Sequence, residues 1–295
     1  QGLGVKKNHK EAMIWYRKAA EQGHAYSQLI IGMMHSDGKG VKQDHKEAMI
    51  WYRKAAEQGN SISSFNIARM YERGLGFQHA DYQHADYKEA MIWFQKAAEQ
   101  GHAYSQLSIG TRYLTGKGVM KDHEKAEIWL RKVAQQDHAF AKQDHSFSKH
   151  DHAHAKLLLG LLLSSDKSSV KKNYKEAMWL FRQAANLGNR SANAAIGRMY
   201  EQGLGVQQDY KKALVYYQKS AEQGSPRAYA AIGYLFREGL GVVKKDYKNA
   251  VIWFRKAAKH GNDDGKFFLG TMYEKGWGVK KNESLAKEWF EKACK

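Results

Sequence analysis

With 295 residues, 43% of them hydrophobic and 36 aromatic, the chain can bury a continuous core, and one proline among 27 glycines points to helices broken by glycine turns rather than to strands. The only cysteine, Cys294, excludes an intramolecular disulfide, and the longest aliphatic stretch, Leu157 to Leu163 with Gly160 inside it, falls far short of the roughly 20 residues of a membrane-spanning helix. Forty-eight Lys and Arg against 30 Asp and Glu leave a net charge of +18, so part of the surface must be strongly basic.

A unit of roughly 36 residues recurs along the whole chain. Residues 1–23 supply only the second half of one unit. Full units then run over 24–59, 60–101 and 102–137, an insertion follows at 138–151, and further units occupy 152–188, 189–224, 225–261 and 262–295. Each unit is expected to hold a first helix, a Gly-x-Gly turn such as Gly38-Lys39-Gly40 or Gly203-Leu204-Gly205, a second helix and a closing glycine. The second helices open at an Asx residue: Asn8, Asp44, Asp86, Asp122, Asn173, Asp209, Asp246 and Asn282. In four of them a glutamate three residues on (Glu11, Glu47, Glu89, Glu176) predicts a capping box.

Within a second helix, Ala48, Trp51, Tyr52, Ala55 and Ala56 fall on one face at helical spacing, and that face is expected to be core. Each first helix carries two small residues five apart, such as Ser27 and Gly32 or Ala192 and Gly197, which let neighbouring helices approach closely. Neither helix can bury its apolar face alone, so units must stack. The expected fold is all-α: a right-handed α/α superhelical solenoid of about seven and a half repeats forming one domain over 1–295.

The recurring pattern is Ala-x4-Gly-x2-Tyr-x2-Gly-x-Gly-Val-x2-Asp-x2-Lys-Ala-x2-Trp-Tyr-x-Lys-Ala-Ala-x-x-Gly, best kept in 189–224 and 225–261. It closely resembles the Sel-one-like repeat, a relative of the tetratricopeptide repeat. The unit 152–188 departs from it. Lys167-Ser168-Ser169 replaces the glycine turn, and Trp179 is shifted by one place so that Leu180 takes the usual Trp position, which predicts a unit off the regular stack. The resemblance implies adaptor work, in which such proteins hold other proteins together in signalling, quality control, envelope assembly or bacterial contact with host cells. It implies no catalytic residues.

Two tandem duplications interrupt the period. Gln78-His79-Ala80-Asp81-Tyr82 is repeated as Gln83 to Tyr87 and reads as a lengthened loop. Around the insertion, three seven-residue blocks between Gln136 and Lys156 nearly preserve helical phase, so they could extend a first helix toward its N-terminus, a loop being the alternative. His150 and His154 would share a face there with His145 nearby, a weak candidate for a divalent transition metal; the plainer reading is a polar segment that binds nothing. The glycine turns lie between helices rather than after strands, so they do not read as nucleotide loops. With no catalytic constellation, neither enzyme activity nor a cofactor is expected.

The function read from the sequence is therefore a non-enzymatic scaffold that binds a protein or peptide in a concave groove lined by first helices. Residues six before and one after the second small residue of a first helix share the face opposite the core. From that face and its neighbours the partner contacts are expected at Tyr26, Met33, Arg69, Tyr104, Thr111, Arg198, Arg227, Tyr234 and Arg237. The alternative is an anion binder for nucleic acid or anionic membrane, through a lysine edge that follows the turns at Lys6, Lys7, Lys42, Lys121, Lys171, Lys172, Lys244, Lys245, Lys280 and Lys281. Against nucleic acid stands the expectation that the tryptophans and tyrosines are core residues with no exposed stacking platform. A soluble protein is expected, in the cytoplasm by preference. Secretion or a periplasmic site stays open because the chain starts at Gln1 in mid-unit, as if a segment preceded it. The uncapped half-unit also leaves self-association open.

Overall fold

The computed structural model describes residues 8–76, 86–136, 147–241 and 244–294. Among the described residues there are fifteen α-helices and no strand, the all-α repeat solenoid that the period predicts. The chain forms two compact units, residues 1–151 and 152–295. The first contains α1 (His9–Glu21), α2 (Ala25–Asp37), α3 (His45–Glu57), α4 (Ser61–Arg73), α5 (Tyr87–Glu99), α6 (Ala103–Thr115) and α7 (His123–Gln135). The second is built from α8 (Lys149–Ser164), α9 (Tyr174–Asn186), α10 (Arg190–Gln202), α11 (Tyr210–Glu222), α12 (Pro226–Glu238), α13 (Tyr247–Lys259), α14 (Asp263–Lys275) and α15 (Glu283–Ala293).

All eight Asx residues cap second helices, each accepting a backbone N–H of the first turn. The reciprocal half of the predicted capping box is redirected. At Asp44, Asp86 and Asn173 the cap's own N–H donates instead to a first-helix carbonyl (His35, Tyr71 and Leu163), at 2.9 Å in each case. The same closure recurs at Asp122, Asp209, Asp246 and Asn282 over 2.8–3.0 Å. That N–H therefore pins the hairpin, and at Asn8 and Asn173 the glutamate accepts from the asparagine amide instead. A full capping box does form where none was predicted: Ser148 N–H donates to Asp151 Oδ2 at 2.9 Å and Asp151 N–H to Ser148 Oγ at 3.2 Å, opening α8 one turn earlier than other first helices. Residues 138–146 of the insertion and most of the first duplication lie outside the described residues.

Glycine sets the spacing of the stack. A Cβ on Gly197 of α10 would lie 2.7 Å from the Tyr217 ring of α11, and one on Gly40, which has φ +77°, would lie 2.6 Å from the His9 carbonyl of the preceding second helix. Between these contacts the core crosses from one hairpin to the next: Phe65 and Ala68 of α4 pack with Ala90 and Phe94 of α5 and with Ile109 of α6. Polar ties repeat across units as well. Arg53, Arg182 and Arg255 of second helices donate to the hydroxyls of Tyr71, Tyr200 and Tyr273 in the following first helices, at 2.8, 3.4 and 2.9 Å.

The irregular unit keeps its hairpin without glycine. Val170 N–H donates to Ser168 Oγ at 3.1 Å, and Asn173 N–H closes on Leu163 like its counterparts. Trp179 consequently takes the place that isoleucine holds in five other second helices and is 54% exposed, while Leu180 is buried in the tryptophan register. The expectation that aromatic residues of the second helices are all core is thereby corrected, since Trp15 is 64% exposed too. The second helices carry another recurrent contact that the sequence reading missed. Lys18, Lys54, Lys96, Lys132 and Lys256 lie 4.1–4.9 Å over the rings of Trp15, Trp51, Trp93, Trp129 and Trp253, three residues earlier on the same helix.

Candidate functional site

Stacked hairpins put first helices side by side, so the residues opposite the core form a common surface within each unit. In the unit 152–295 this surface is a groove of about 440 Å³ lined by α8, α10, α12 and α14. Four registers build it, because residues i, i+3, i+4 and i+7 share a helix face. The first register is His154, Ser191, Arg227 and Asp264, and the last is Leu161, Arg198 and Tyr234. Between them lie Leu157 and Leu158 on one side, Phe268 on the other, and a floor of Ala194, Ala195, Ala230 and Ala231.

The floor is low because alanine pairs occupy two adjacent helices. Its walls are firm: the Phe268 ring lies 5.1 Å from Phe254 and 6.3 Å from Tyr234, and the Arg237 guanidinium sits 4.6 Å over Phe268 and 5.0 Å over Tyr234. Arg237 Nε also donates to Glu238 Oε1 at 2.7 Å, so this predicted contact residue braces the aromatic wall and is not among the residues that line the groove.

Charge in the groove is sorted by existing bonds. Tyr217 Oη donates to Glu201 Oε2 at 2.6 Å, and burial, with Glu201 beside it, pushes the phenol well above its ordinary range, so it remains a donor. Glu201 is thereby engaged, whereas Arg198 and Arg227 are exposed at the groove surface. Asp264 lies in the first turn of α14, where a negative charge suits the helix dipole.

The structure thus brings together Arg198, Arg227 and Tyr234 of the expected contacts, with His154. Tyr26, Met33, Arg69, Tyr104 and Thr111 belong to the unit 1–151. There, Tyr26 and Met33 are exposed on α2. Arg69 lies 5.7 Å over the Phe65 ring, against which Tyr104 packs edge-on at 5.2 Å, so Phe65, which the sequence did not flag, joins those two. Thr111 Oγ1 donates to the Leu107 carbonyl at 2.9 Å.

His150 and His154 are both exposed on α8, His145 lies outside the described residues, and among the described residues no three His, Cys, Asp or Glu side chains are placed to hold a metal. The described lysines of the turn edge are exposed, but three have acidic neighbours: Lys172 pairs with Asp166, Lys245 with Glu238 at 3.5 Å and Lys281 with Glu283 at 2.8 Å. Among the described residues no helix is long and apolar enough to cross a membrane.

Known proteins supply the remaining comparison. A protective antigen present in uropathogenic Escherichia coli strains and displaying an SLR fold is 34% identical over 98% of this chain, with a TM-score of 0.73, and the match spans 58% of that protein's length. A Sel1 repeat protein from Oxalobacter formigenes is 31% identical over 96% of this chain and 76% of its own, with a TM-score of 0.68. Among curated proteins no match is found. The Sel1 repeat pattern itself matches residues 1–24, 25–60, 61–102, 103–138, 153–189, 190–225, 226–262 and 264–295, offset by one residue from most of the units read above and likewise leaving out the insertion. The chain therefore belongs to the Sel1 repeat family, a fold whose members generally serve as scaffolds for protein–protein interaction rather than as catalysts.

Proposed function

We propose that this protein is a non-enzymatic adaptor whose groove in residues 152–295 takes a peptide segment of another protein, one that presents apolar side chains beside a carboxylate. The observation that supports this reading is the groove itself, in which an alanine floor and Leu and aromatic walls lie beside two exposed guanidiniums. Arg198 and Arg227 suit a bidentate grip on a carboxylate, and Tyr234 and Phe268 offer rigid aromatic area that costs little entropy to order. Charge complementarity points the same way: residues 152–295 hold 26 Lys and Arg against 13 Asp and Glu, whereas residues 1–151 hold 22 against 17.

The test is selection of a displayed random-peptide library on the wild type, followed by affinity measurements on the peptides it enriches. They should share an acidic residue next to aliphatic or aromatic positions. Each should weaken by at least about 30-fold on an Arg198→Ala, Arg227→Ala, Tyr234→Ala triple variant, since anchor residues commonly contribute 1–2 kcal/mol or more. Enriched peptides that bind the triple variant equally well would rule the groove out.

A further inference from the structure

A second surface, on the second helices of the unit 152–295, points to a different partner. Trp179, Val215 and Ile252 hold the same register in α9, α11 and α13, and each is about half exposed, at 54%, 48% and 49%. A helical residue has its surface neighbours four before and three and four after it. At those places stand Lys175 and Arg182 around Trp179, Lys211 and Lys219 around Val215, and Lys248, Arg255 and Lys256 around Ile252. Lys259 extends the last stripe, and α13 carries no acidic residue. Against these cations stand Glu176 on α9 and Glu222 on α11.

We infer that this face docks on an anionic lipid bilayer, the three apolar side chains entering the headgroup region while the surrounding cations meet lipid phosphates and carboxylates. Apolar residues placed at the centre of cationic stripes are what such an interface rewards, because hydrocarbon transfer and electrostatic attraction then act together. A nucleic acid would use the charges but leave Val215 and Ile252 without a partner, and it would want open aromatic rings. Trp179 offers one open ring, but Tyr216 and Trp253, next in sequence to Val215 and Ile252, are half-buried under Lys219 and Lys256 at 5.1 and 4.4 Å, so the face holds no row of rings for successive bases. In the unit 1–151 the same register is also apolar (Ile14, Ile50, Ile92, Ile128) and flanked by cations, but two acidic residues on each of α1, α3, α5 and α7 leave those helices a weaker net positive charge than α11 and α13 carry.

The experiment is co-sedimentation of the full chain with vesicles of phosphatidylcholine, with and without about 30 mol% phosphatidylserine, at about 0.15 M salt. Binding is expected only to the anionic vesicles. Lys219→Ala, Lys256→Ala and Lys259→Ala together should lower it about 100-fold, at roughly fivefold per cation. Trp179→Ser, Val215→Ser and Ile252→Ser together leave the charge unchanged and should lower it at least about tenfold. All six positions are exposed, and an unchanged circular dichroism melt identifies folded variants. The Arg198, Arg227 and Tyr234 variant should bind vesicles as the wild type does, which keeps this proposal separate from the groove. Absence of anionic-vesicle binding, an apolar triple that binds vesicles undiminished, a groove variant that loses them, or a single-stranded oligonucleotide bound where vesicles are not would each overturn it.

Discussion

Arg112 occupies the register that is Met34, Met70, Leu162, Met199, Leu235 and Met272 in the other first helices, and at 4% exposure it is as buried as they are. An arginine is tolerated there because its guanidinium donates to Glu72 Oε1 and, at 3.1 Å, to the Lys117 carbonyl, and lies 4.9 Å over the Phe94 ring. Burial still pulls Arg112 below its ordinary value, with Glu72 opposing the shift. The two partners are unequally sheltered, the Arg112 side chain being 5% and that of Glu72 28% exposed, so removing one is not equivalent to removing the other. Glu72→Gln strands a buried cation and should cost about 3–5 kcal/mol, whereas Arg112→Met puts back the side chain of the neighbouring registers and leaves a carboxylate that water and Lys117, 3.9 Å away, can serve. Its cost should stay within about 1 kcal/mol. For a unit of this size Glu72→Gln translates to a fall of about 6–20 °C in melting temperature, and the double variant should regain most of it. Thermal melts of the four proteins of this cycle decide the matter. If Arg112→Met destabilises as much as Glu72→Gln, desolvation is not what dominates the pair and the reasoning fails.

Gly197→Ala should cost about 1–3 kcal/mol, because the added methyl meets the Tyr217 ring at 2.7 Å; urea unfolding of the variant measures it, and an unchanged midpoint would mean that the ring has room to move. Ser148→Ala removes the capping box that opens α8 and should cost about 1 kcal/mol, read as faster amide exchange around 147–152. The first-turn N–H groups of Glu47, Lys125, Lys212 and Asn249 hold Asp44, Asp122, Asp209 and Asp246 below the ordinary carboxylate value of 3.8. A depressed folded value gives stability that is present above the unfolded pKa of about 4 and is lost as pH falls through the folded one. Melts at about pH 6, 4 and 2.5 should therefore show wild-type stability declining at the acid end, and a quadruple Asp→Asn variant, which keeps the caps but not the charge, should decline less.

Period, helix type and second-helix caps were legible because each depends on residues close in sequence and is written many times. The eight Asx caps and the glycines of the turns repeat a local requirement, so a single chain supplies its own statistics. What escaped was set by relations between helices. The Asp44 and Asn173 N–H groups look available to a glutamate in one dimension, but the folded hairpin places the His35 and Leu163 carbonyls nearer. Nothing near Arg112 in the chain marks it as buried; its partner Glu72 stands forty residues earlier. Trp179 reads as core until the one-place shift is converted into a rotation of about 100° around the helix.

The same distinction governs the groove. The sequence identified its rim, since Arg198, Arg227 and Tyr234 stand at positions that vary from unit to unit while core positions repeat, and variation within a repeat is visible in one dimension. It missed the floor and the braces. Ala194-Ala195 and Ala230-Ala231 carry no chemistry that draws attention, and their value arises only when α10 and α12 lie side by side and both are low. Arg237 was singled out for its charge, yet with the Tyr234 and Phe268 rings beneath it and Glu238 on its Nε it supports the wall. A ligand would meet Arg198 and Arg227 first; how tightly it is held would depend on residues that, read singly, say nothing about binding.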